Sequence, residues 1–245
     1  MMRFLAFAER NRKEIMRDPL SLAFGIGFPV ILILLISFMK QSIKGMPAEL
    51  FAIDSFAPGM AVFGLSFITL FVGMLITNDR SNSFLMRVFA SPLTGLDYVI
   101  GYTLPLLLVS VVQSAVCFAT AYLFGLPFHI NVLFAIIVLI PTALLFNGFG
   151  LLFGSLFTEK QVGGISSILI NVAAWLSGIW FDLNMVGGAF KTVCYALPFA
   201  HAVDAVKATL SGDYNAILPH LLWVFGYTIV VYLIAVFCFR KQMRG

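Results

Sequence analysis

Side chains that commonly act as metal ligands or catalysts are few and scattered in this sequence. The histidines His129, His201 and His220 are far apart, and only His201 and Asp204 have the i, i+3 spacing that places two ligands on one helical face. Two ligands are too few for a structural or a catalytic zinc site. We therefore predict no metal site and no bound cofactor in this chain.

Sequence motifs of common enzyme classes are also absent. The chain contains no G-x-x-x-x-G-K-[ST] phosphate loop, no H-E-x-x-H and no G-x-S-x-G. The cysteines Cys117, Cys194 and Cys238 lack paired or metal-type spacing, and we interpret them as buried thiols. Since no nucleophile, base and metal set converges, we predict no catalytic residue and a protein that is not an enzyme.

Uncharged polar residues interrupt otherwise apolar segments at Gln113, Asn147, Ser166, Ser167 and Asn171. They could line a path for an amphipathic molecule, or they could hydrogen-bond between helices at about 1 kcal/mol per bond. We favour the second interpretation. No ionisable residue lies in the middle of an apolar segment, which argues against an ion-coupled pump and a charge-selective channel. If this protein moves a molecule, its energy comes from outside the chain.

The elements that carry these residues are long apolar segments. Of the 245 residues, 61% are hydrophobic and 11% are charged, whereas about a quarter of a soluble domain is charged. The charge-free stretches match the roughly 20 residues that a helix needs to cross a bilayer. We therefore predict an all-α integral membrane protein with one transmembrane domain. Its six spans are expected at 20–39, 56–77, 98–124, 131–157, 162–181 and 217–239.

Two segments outside the spans have helical patterns of their own. Residues 2–18 form a basic amphipathic helix, which we expect in the headgroup plane, as a passive anchor or a mechanical element. It ends at Asp18–Pro19, because proline disfavours the α conformation in the residue before it. Residues 182–213 are rather apolar, but Pro198 divides them into halves that are each too short to span, so we predict two re-entrant helices in the outer leaflet. A surface hairpin lying flat is the alternative.

The distribution of basic residues predicts the orientation of the chain in the membrane. With both termini in the cytoplasm, 11 of the 15 lysines and arginines are on the cytoplasmic side and 4 are outside. Cytoplasmic loops carry the excess of basic residues in membrane proteins. We therefore expect a multi-pass protein of the cell (plasma) membrane whose 78–97 loop faces the cytoplasm.

The 78–97 loop combines both charge signs, a short helical run and a Ser-Pro break. Its parts follow in the order Asp79-Arg80, Phe84-Leu85-Met86-Arg87-Val88 and Ala90-Ser91-Pro92-Leu93-Thr94. An aromatic, proline and apolar pattern from Leu197 leads to Asp204 before the last span, and the amino-terminal helix ends in Arg17-Asp18-Pro19. With the six spans, this order resembles the membrane subunits (permeases) of type-2 ATP-binding-cassette exporters over essentially the full length.

The resemblance implies a half-transporter without its own motor. Two permease chains, identical or related, would bind two separate ATP-binding subunits, which would also hold ATP and Mg. The loop after the second span would form a coupling helix on the ATPase, and the amino-terminal helix, with Arg12, Arg17, Asp18 and Pro19, would pack beside it. The residues implied in ATPase contact are Asp79, Arg80, Phe84, Arg87, Ser91, Pro92 and Leu93.

The function implied is ATP-driven export of a hydrophobic or amphipathic substrate, as in relatives that export drugs, polysaccharides or lipids. Gln113, Asn147, Ser167 and Asn171 are the candidates for its path, or else for interhelical contacts. The expected partners are ATPase subunits, a second permease chain and membrane lipid, with no nucleic acid. The alternative is a motor-independent facilitator or scaffold, which an ATPase subunit would not accompany through purification.

Overall fold

The computed structural model describes residues 3–42, 51–89 and 93–244, which form helices joined by short turns. No residue in these ranges is in a β-strand, which confirms the predicted all-α class for the described part of the chain. The helices are α1 (Arg3–Met16), α2 (Pro19–Ser42), α3 (Ile53–Ser81), α4 (Phe84–Phe89), α5 (Gly95–Leu123), α6 (Ile130–Leu156), α7 (Glu159–Leu176), α8 (Leu183–Val186), α9 (Gly188–Ala196), α10 (Pro198–Ser211) and α11 (Tyr214–Arg244).

Five described helices are long and apolar enough to cross a membrane, namely α2, α3, α5, α6 and α11. The remaining predicted span, the fifth at 162–181, corresponds to α7. This helix has 18 residues, so it is about 27 Å long, slightly less than a hydrocarbon core of about 30 Å. It begins with Glu159 and Lys160 and ends at Leu176, and the chain then turns through Gly178, whose φ is 74°.

Helix α3 forms the centre of the bundle and contacts α2, α5, α6, α7 and α10. Nearly all of its side chains between Phe56 and Thr77 are buried. The G-x-x-x-G pair of α6 permits the close contact with α3, because a Cβ atom at Gly150 would lie 2.8 Å from the carbonyl oxygen of Thr69. The hydroxyl of Thr69 also donates to the carbonyl oxygen of Phe146, 2.9 Å away. Small residues therefore set the α3–α6 spacing.

The predicted 78–97 loop is shorter in the structure, because the flanking helices extend into it. Helix α3 continues to Ser81, and α5 begins after Thr94. Thr94 and Asp97 form a reciprocal capping box, in which the Asp97 amide donates to Thr94 Oγ1 at 3.2 Å and the Thr94 amide donates to Asp97 Oδ2 at 2.9 Å. Within the described residues, α4 and the turn at Asn82 and Ser83 lie between the two long helices.

The segment predicted as a re-entrant pair contains two short helices, α9 and α10, preceded by the single turn α8. Pro198 is the first residue of α10, where a missing amide proton costs nothing. Helix α10 packs on α11, α6 and α3. It lies at the opposite end of the bundle from α4, because α11 begins beside α10 and its Phe239 stacks on Tyr98 near the start of α5.

Candidate functional site

A carboxylate is buried at the end of α3, where the sequence predicts contact with a partner. Asp79 is 1% exposed, and an unpaired charge at such a position would be strongly unfavourable. Arg10 Nη1 donates to Asp79 Oδ2 at 2.6 Å, and the hydroxyl of Tyr102 donates to the same oxygen at 2.6 Å. These two bonds join α3 to α1 and to α5.

Arg10 extends this contact to α4. Its guanidinium carbon lies 4.2 Å from the centroid of the Phe84 ring, which is a cation–π geometry. The neighbouring Asn11 is fully buried, accepts a hydrogen bond from Arg10 and donates to the carbonyl oxygen of Gly101 in α5 at 3.1 Å. We name this cluster the Asp79 junction; it consists of Arg10, Asn11, Asp79, Phe84 and Tyr102.

The next residue, Arg80, also has partners within the chain. Its guanidinium donates to the carbonyl oxygens of Ser155, at 3.1 Å, and of Phe157. These carbonyls belong to the last turn of α6 and the residue after it, where helical oxygens lack an intrahelical partner and favour a cation. Asp79 and Arg80 therefore hold α3 to its neighbours, and a direct contact with a partner would require either side chain to leave these bonds.

Helix α4 presents a different surface. Leu85 and Val88 are buried against the bundle, Phe84 is half-buried and Arg87 is exposed. The Arg87 guanidinium lies 5.8 Å from the centroid of the Phe84 ring. Leu93 is half-buried and packs on the core, whereas Ser91 and Pro92 lie outside the described residues. Of the residues predicted to contact an ATPase, Arg87 and part of Phe84 are the ones that the described chain leaves accessible on α4.

The predicted residues of the amino-terminal helix lie at its surface. Arg12 donates two hydrogen bonds of 2.7 Å to the Glu9 carboxylate. These hydrogen bonds lower the pKa of Glu9 to about 2. Arg17 and Asp18 are exposed in the turn after α1, and Pro19 is the first residue of α2. They do not belong to the Asp79 junction.

The four polar residues predicted as candidates for a substrate path or for interhelical contacts fall into two pairs. Gln113 and Asn147 are buried: Gln113 Nε2 approaches the Ala61 carbonyl oxygen at 3.5 Å, and Asn147 Oδ1 accepts from the Thr103 hydroxyl at 3.2 Å. Both contacts run between helices. Ser167 and Asn171 are exposed on α7, and each donates to a carbonyl oxygen four residues earlier in the same helix.

A second polar cluster joins α9, α10 and α11. His201 Nδ1 lies 2.8 Å from His220 Nδ1, and His201 Nε2 lies 2.9 Å from the carbonyl oxygen of Tyr195. The His201 ring stacks on Trp223 with a centroid distance of 5.2 Å, and the Tyr227 hydroxyl donates to the Ala196 carbonyl oxygen at 2.7 Å. Burial lowers the pKa of His201. We name this cluster the His201 junction; it consists of Tyr195, His201, His220, Trp223 and Tyr227.

The i, i+3 pair of His201 and Asp204 is divided between different contacts. Asp204 accepts a 2.8 Å hydrogen bond from the Tyr195 hydroxyl, while both nitrogens of His201 have the partners named above. In the ranges that the structure describes, no three histidine, cysteine or acidic side chains come together as a metal site.

The sequence interpretation included Asp79 and Phe84 but missed Arg10, Asn11 and Tyr102. A signal for Asn11 exists in the pattern of α1, because Asn11 follows the buried Phe7 by four residues and therefore shares its face. Arg10 and Tyr102 carry no comparable signal. Arg10 is 69 residues from its partner Asp79, so that pairing depends on the tertiary fold alone.

Comparison with protein families gives one match over most of the chain. The family model described as ABC-2 type transporter matches residues 2–210. The matched region contains α1, α4 and α9 in full, and it ends within α10. A search of curated proteins found no match.

Proposed function

The chain belongs to the ABC-2 type transporter family, and from this premise we propose that it is the permease subunit of an ATP-driven exporter. Membrane proteins of this family associate with separate ATP-binding-cassette ATPase subunits, which would hold ATP and Mg. The observation that carries the proposal is the position of α4: one side contacts the Asp79 junction, and the other side leaves Arg87 accessible.

The Asp79 junction provides a physical route from α4 to the spans. When ATP brings the two ATPase subunits together, α4 moves with the surface on which it is seated. Arg10 contacts the Phe84 ring and is bonded to the buried Asp79, so the displacement reaches α3, and it reaches α5 through Tyr102. ATP then shifts the population between inward-facing and outward-facing states, because it binds the two states with different affinity.

The membrane arrangement of the proposal follows the charge distribution. The α4 end, with α1, faces the cytoplasm of the plasma membrane, and both termini lie on that side. Helix α7 makes the fifth of six crossings together with the turn that follows it, and α8 to α10 dip into the outer leaflet. The 18 residues of α7 support this path, since the following turn supplies the few ångströms that the helix lacks.

A second permease chain would pack on α7. One face of this helix is exposed and combines Gly164, Ser167 and Asn171 with apolar side chains. A Cβ at Gly164 would meet no atom within 4 Å, so the chain itself does not use this small residue for packing. Small and uncharged polar residues are typical of helix–helix interfaces in membranes. An amphipathic substrate would pass beside this face, between the two copies.

Disulfide cross-linking tests the pairing. Asn171→Cys should form a covalent dimer under mild oxidation, whereas Ile229→Cys, exposed on the distant α11, should not. Equal cross-linking at the two positions would indicate random collision and would contradict pairing through α7.

The coupling role of α4 is tested by reversing charge and removing contact area together. In vesicles that contain both subunits, Phe84→Ala/Arg87→Glu should abolish transport while the ATPase continues to turn over ATP. The matched control is Lys13→Glu/Met16→Ala, which makes the same charge change and also removes an exposed apolar side chain, but on α1. The control should retain coupling.

Normal coupling in the α4 variant would contradict this assignment. Substrate movement that needs no ATPase subunit would instead support a motor-independent facilitator. The expected substrate is a hydrophobic or amphipathic molecule, because the described spans have no ionisable side chain near the bilayer centre.

A further inference from the structure

The His201 junction has a hydrogen-bond pattern that depends on one proton. The carbonyl oxygen of Tyr195 can only accept, so His201 Nε2 must carry a proton and donate to it over 2.9 Å. Neutral His201 then has an unprotonated Nδ1, which accepts. The proton in the 2.8 Å contact between the two Nδ1 atoms therefore belongs to His220, which donates.

Adding protons changes this pattern in two stages. One added proton can sit at Nε2 of His220, which the contact does not use, and the Nδ1–H of His220 still donates. The second must enter at Nδ1 of His201, which converts the acceptor into a donor and places two cations in contact. The hydrogen bond between the two rings is then lost, and like charges repel.

The surroundings of His201 contain few other charges. From its own helix, Asp204 lies one turn away and is bonded to the Tyr195 hydroxyl. From α9, Tyr195 and the buried Cys194 are the nearest titratable groups, and the Lys191 amine lies 5.8 Å from the centroid of the Tyr195 ring. From α11, His220 is the facing group.

The other helices that pack on α10 add no charge beside His201. Helix α6 carries no ionisable side chain, and α7 carries Glu159 and Lys160 at its opposite end. On α3, Asp54 borders a cavity of about 640 Å³ with Lys207, near the far end of α10, while Asp79 and Arg80 lie at the α4 end. His201 is 8% exposed. A positive charge on its ring is therefore poorly solvated and forms only in acid.

We propose that His201 and His220 form an acid-released latch between the α9–α10 pair and α11. At neutral pH the latch holds the two short helices against the last span. When both imidazoles are protonated, α10 separates from the first turns of α11. The latch itself does not depend on the proposed export function, but its consequence rests on that function. When the side of the membrane away from the ATPase is acidic, the transporter should open faster on that side.

Hydrogen exchange in the full chain in lipid nanodiscs tests the latch without any ATPase. Exchange rates are compared at pH 7.5 and pH 5.0 after correction for the intrinsic exchange rate at each pH. The protection of the backbone amides of 199–211 should fall about tenfold at pH 5.0, the factor that corresponds to one lost hydrogen bond. In the His220→Asn variant, the amides of 199–211 should stay protected at both pH values. The new side-chain amide can donate to neutral His201, and after it flips by about 180° its oxygen can accept from protonated His201. His129→Asn is the matched control and should behave as the unmodified chain.

His201→Gln completes the series, because its amide still donates to Tyr195 but the ring acceptor is gone. Protection in 199–211 should be low at both pH values. An unmodified chain whose protection does not change with pH, or an equal change in His220→Asn, would overturn the latch.

Trp223 supplies a second measurement, which reports protonation of His201 itself. The sequence has three tryptophans, so Trp175→Phe/Trp180→Phe leaves Trp223 alone, stacked on His201. An imidazolium in contact quenches indole fluorescence. The emission should therefore fall in the same acidic range, and it should not fall when His201→Gln is added. A titration unaffected by His201→Gln would contradict the assignment. Because neither measurement involves ATP or substrate, a failed export assay would leave these results unchanged.

Discussion

The Asp79 junction and the His201 junction attach short helices to long spans at opposite ends of the bundle, with different chemistry. At the first, Arg10 and Tyr102 both donate to one buried carboxylate oxygen over 2.6 Å. At the second, two imidazoles share one proton over 2.8 Å. The first depends on permanent full charges, whereas histidine is the side chain that ordinarily changes charge between pH 5 and 8.

This difference separates a rigid connection from an adjustable one. A helix that transmits force to the spans requires a contact that does not yield, and a buried ion pair is costly to break because one partner would remain charged and unpaired. A helix that must move away from its neighbour requires a contact between neutral groups, so that breaking the contact at neutral pH leaves no unpaired charge buried.

Arg10→Met should cause the largest loss of stability. It leaves the 1% exposed carboxylate of Asp79 with only the Tyr102 hydroxyl as a donor. Removing one member of a buried ion pair costs about 3–5 kcal/mol. We expect a correspondingly lower free energy of unfolding in detergent, together with loss of coupling.

Adding Asp79→Asn to this variant removes the unpaired charge and keeps an acceptor for Tyr102. The double variant should therefore be more stable than Arg10→Met alone, which gives a non-additive mutant cycle. Strictly additive losses would show that the two residues do not act as a pair.

Tyr102→Phe tests whether the Asp79 junction needs its second donor. The substitution removes one hydrogen bond to a charged group and keeps the ring, which packs against Phe7 with a centroid distance of 5.0 Å. Such a bond contributes about 1.5–3 kcal/mol. We expect a loss of this size in chemical unfolding. Stability equal to that of the unmodified chain would mean that Arg10 alone satisfies Asp79.

The two junctions also differ in what the sequence could reveal. Charge-free runs predict the long spans, because a helix needs about 20 apolar residues to cross a bilayer. The early end of α7 was not visible, because a glycine in an apolar run does not by itself predict the left-handed turn that Gly178 makes, with φ 74°, after the helix. Phe84 and Arg87 were predicted to contact an ATPase from their place in the loop after the second span. The partners Arg10 of Asp79 and His220 of His201 were missed, because 69 and 19 residues separate these pairs and no helical period connects them.

Tyr227→Phe should have a small effect at the His201 junction. The Tyr227 hydroxyl donates to the Ala196 carbonyl oxygen at 2.7 Å, at the break between α9 and α10. Hydrogen bonds between helices within a membrane contribute about 0.6 kcal/mol on average, so the cost should be about 0.5–1 kcal/mol. Unfolding measurements should place this loss below that of Tyr102→Phe, although each change removes one tyrosine hydroxyl. A reversed order would contradict the contrast between the junctions.

Arg12→Met should have the smallest effect and is the matched control for Arg10→Met. The two arginines lie on the same helix, two residues apart, but Arg12 bonds only the exposed Glu9 among the contacts described for its side chain. Although these hydrogen bonds hold the pKa of Glu9 at about 2, water solvates either ion after the other is removed, and exposed pairs contribute little. We expect no measurable change in the free energy of unfolding at any pH from 5 to 8, since Glu9 remains ionised over this range. A loss comparable to that of Arg10→Met would show that α1 depends on its overall charge. If Arg10→Met loses stability and Arg12→Met does not, the effect comes from the contact with the buried Asp79. At that position solvent cannot take the place of the missing guanidinium.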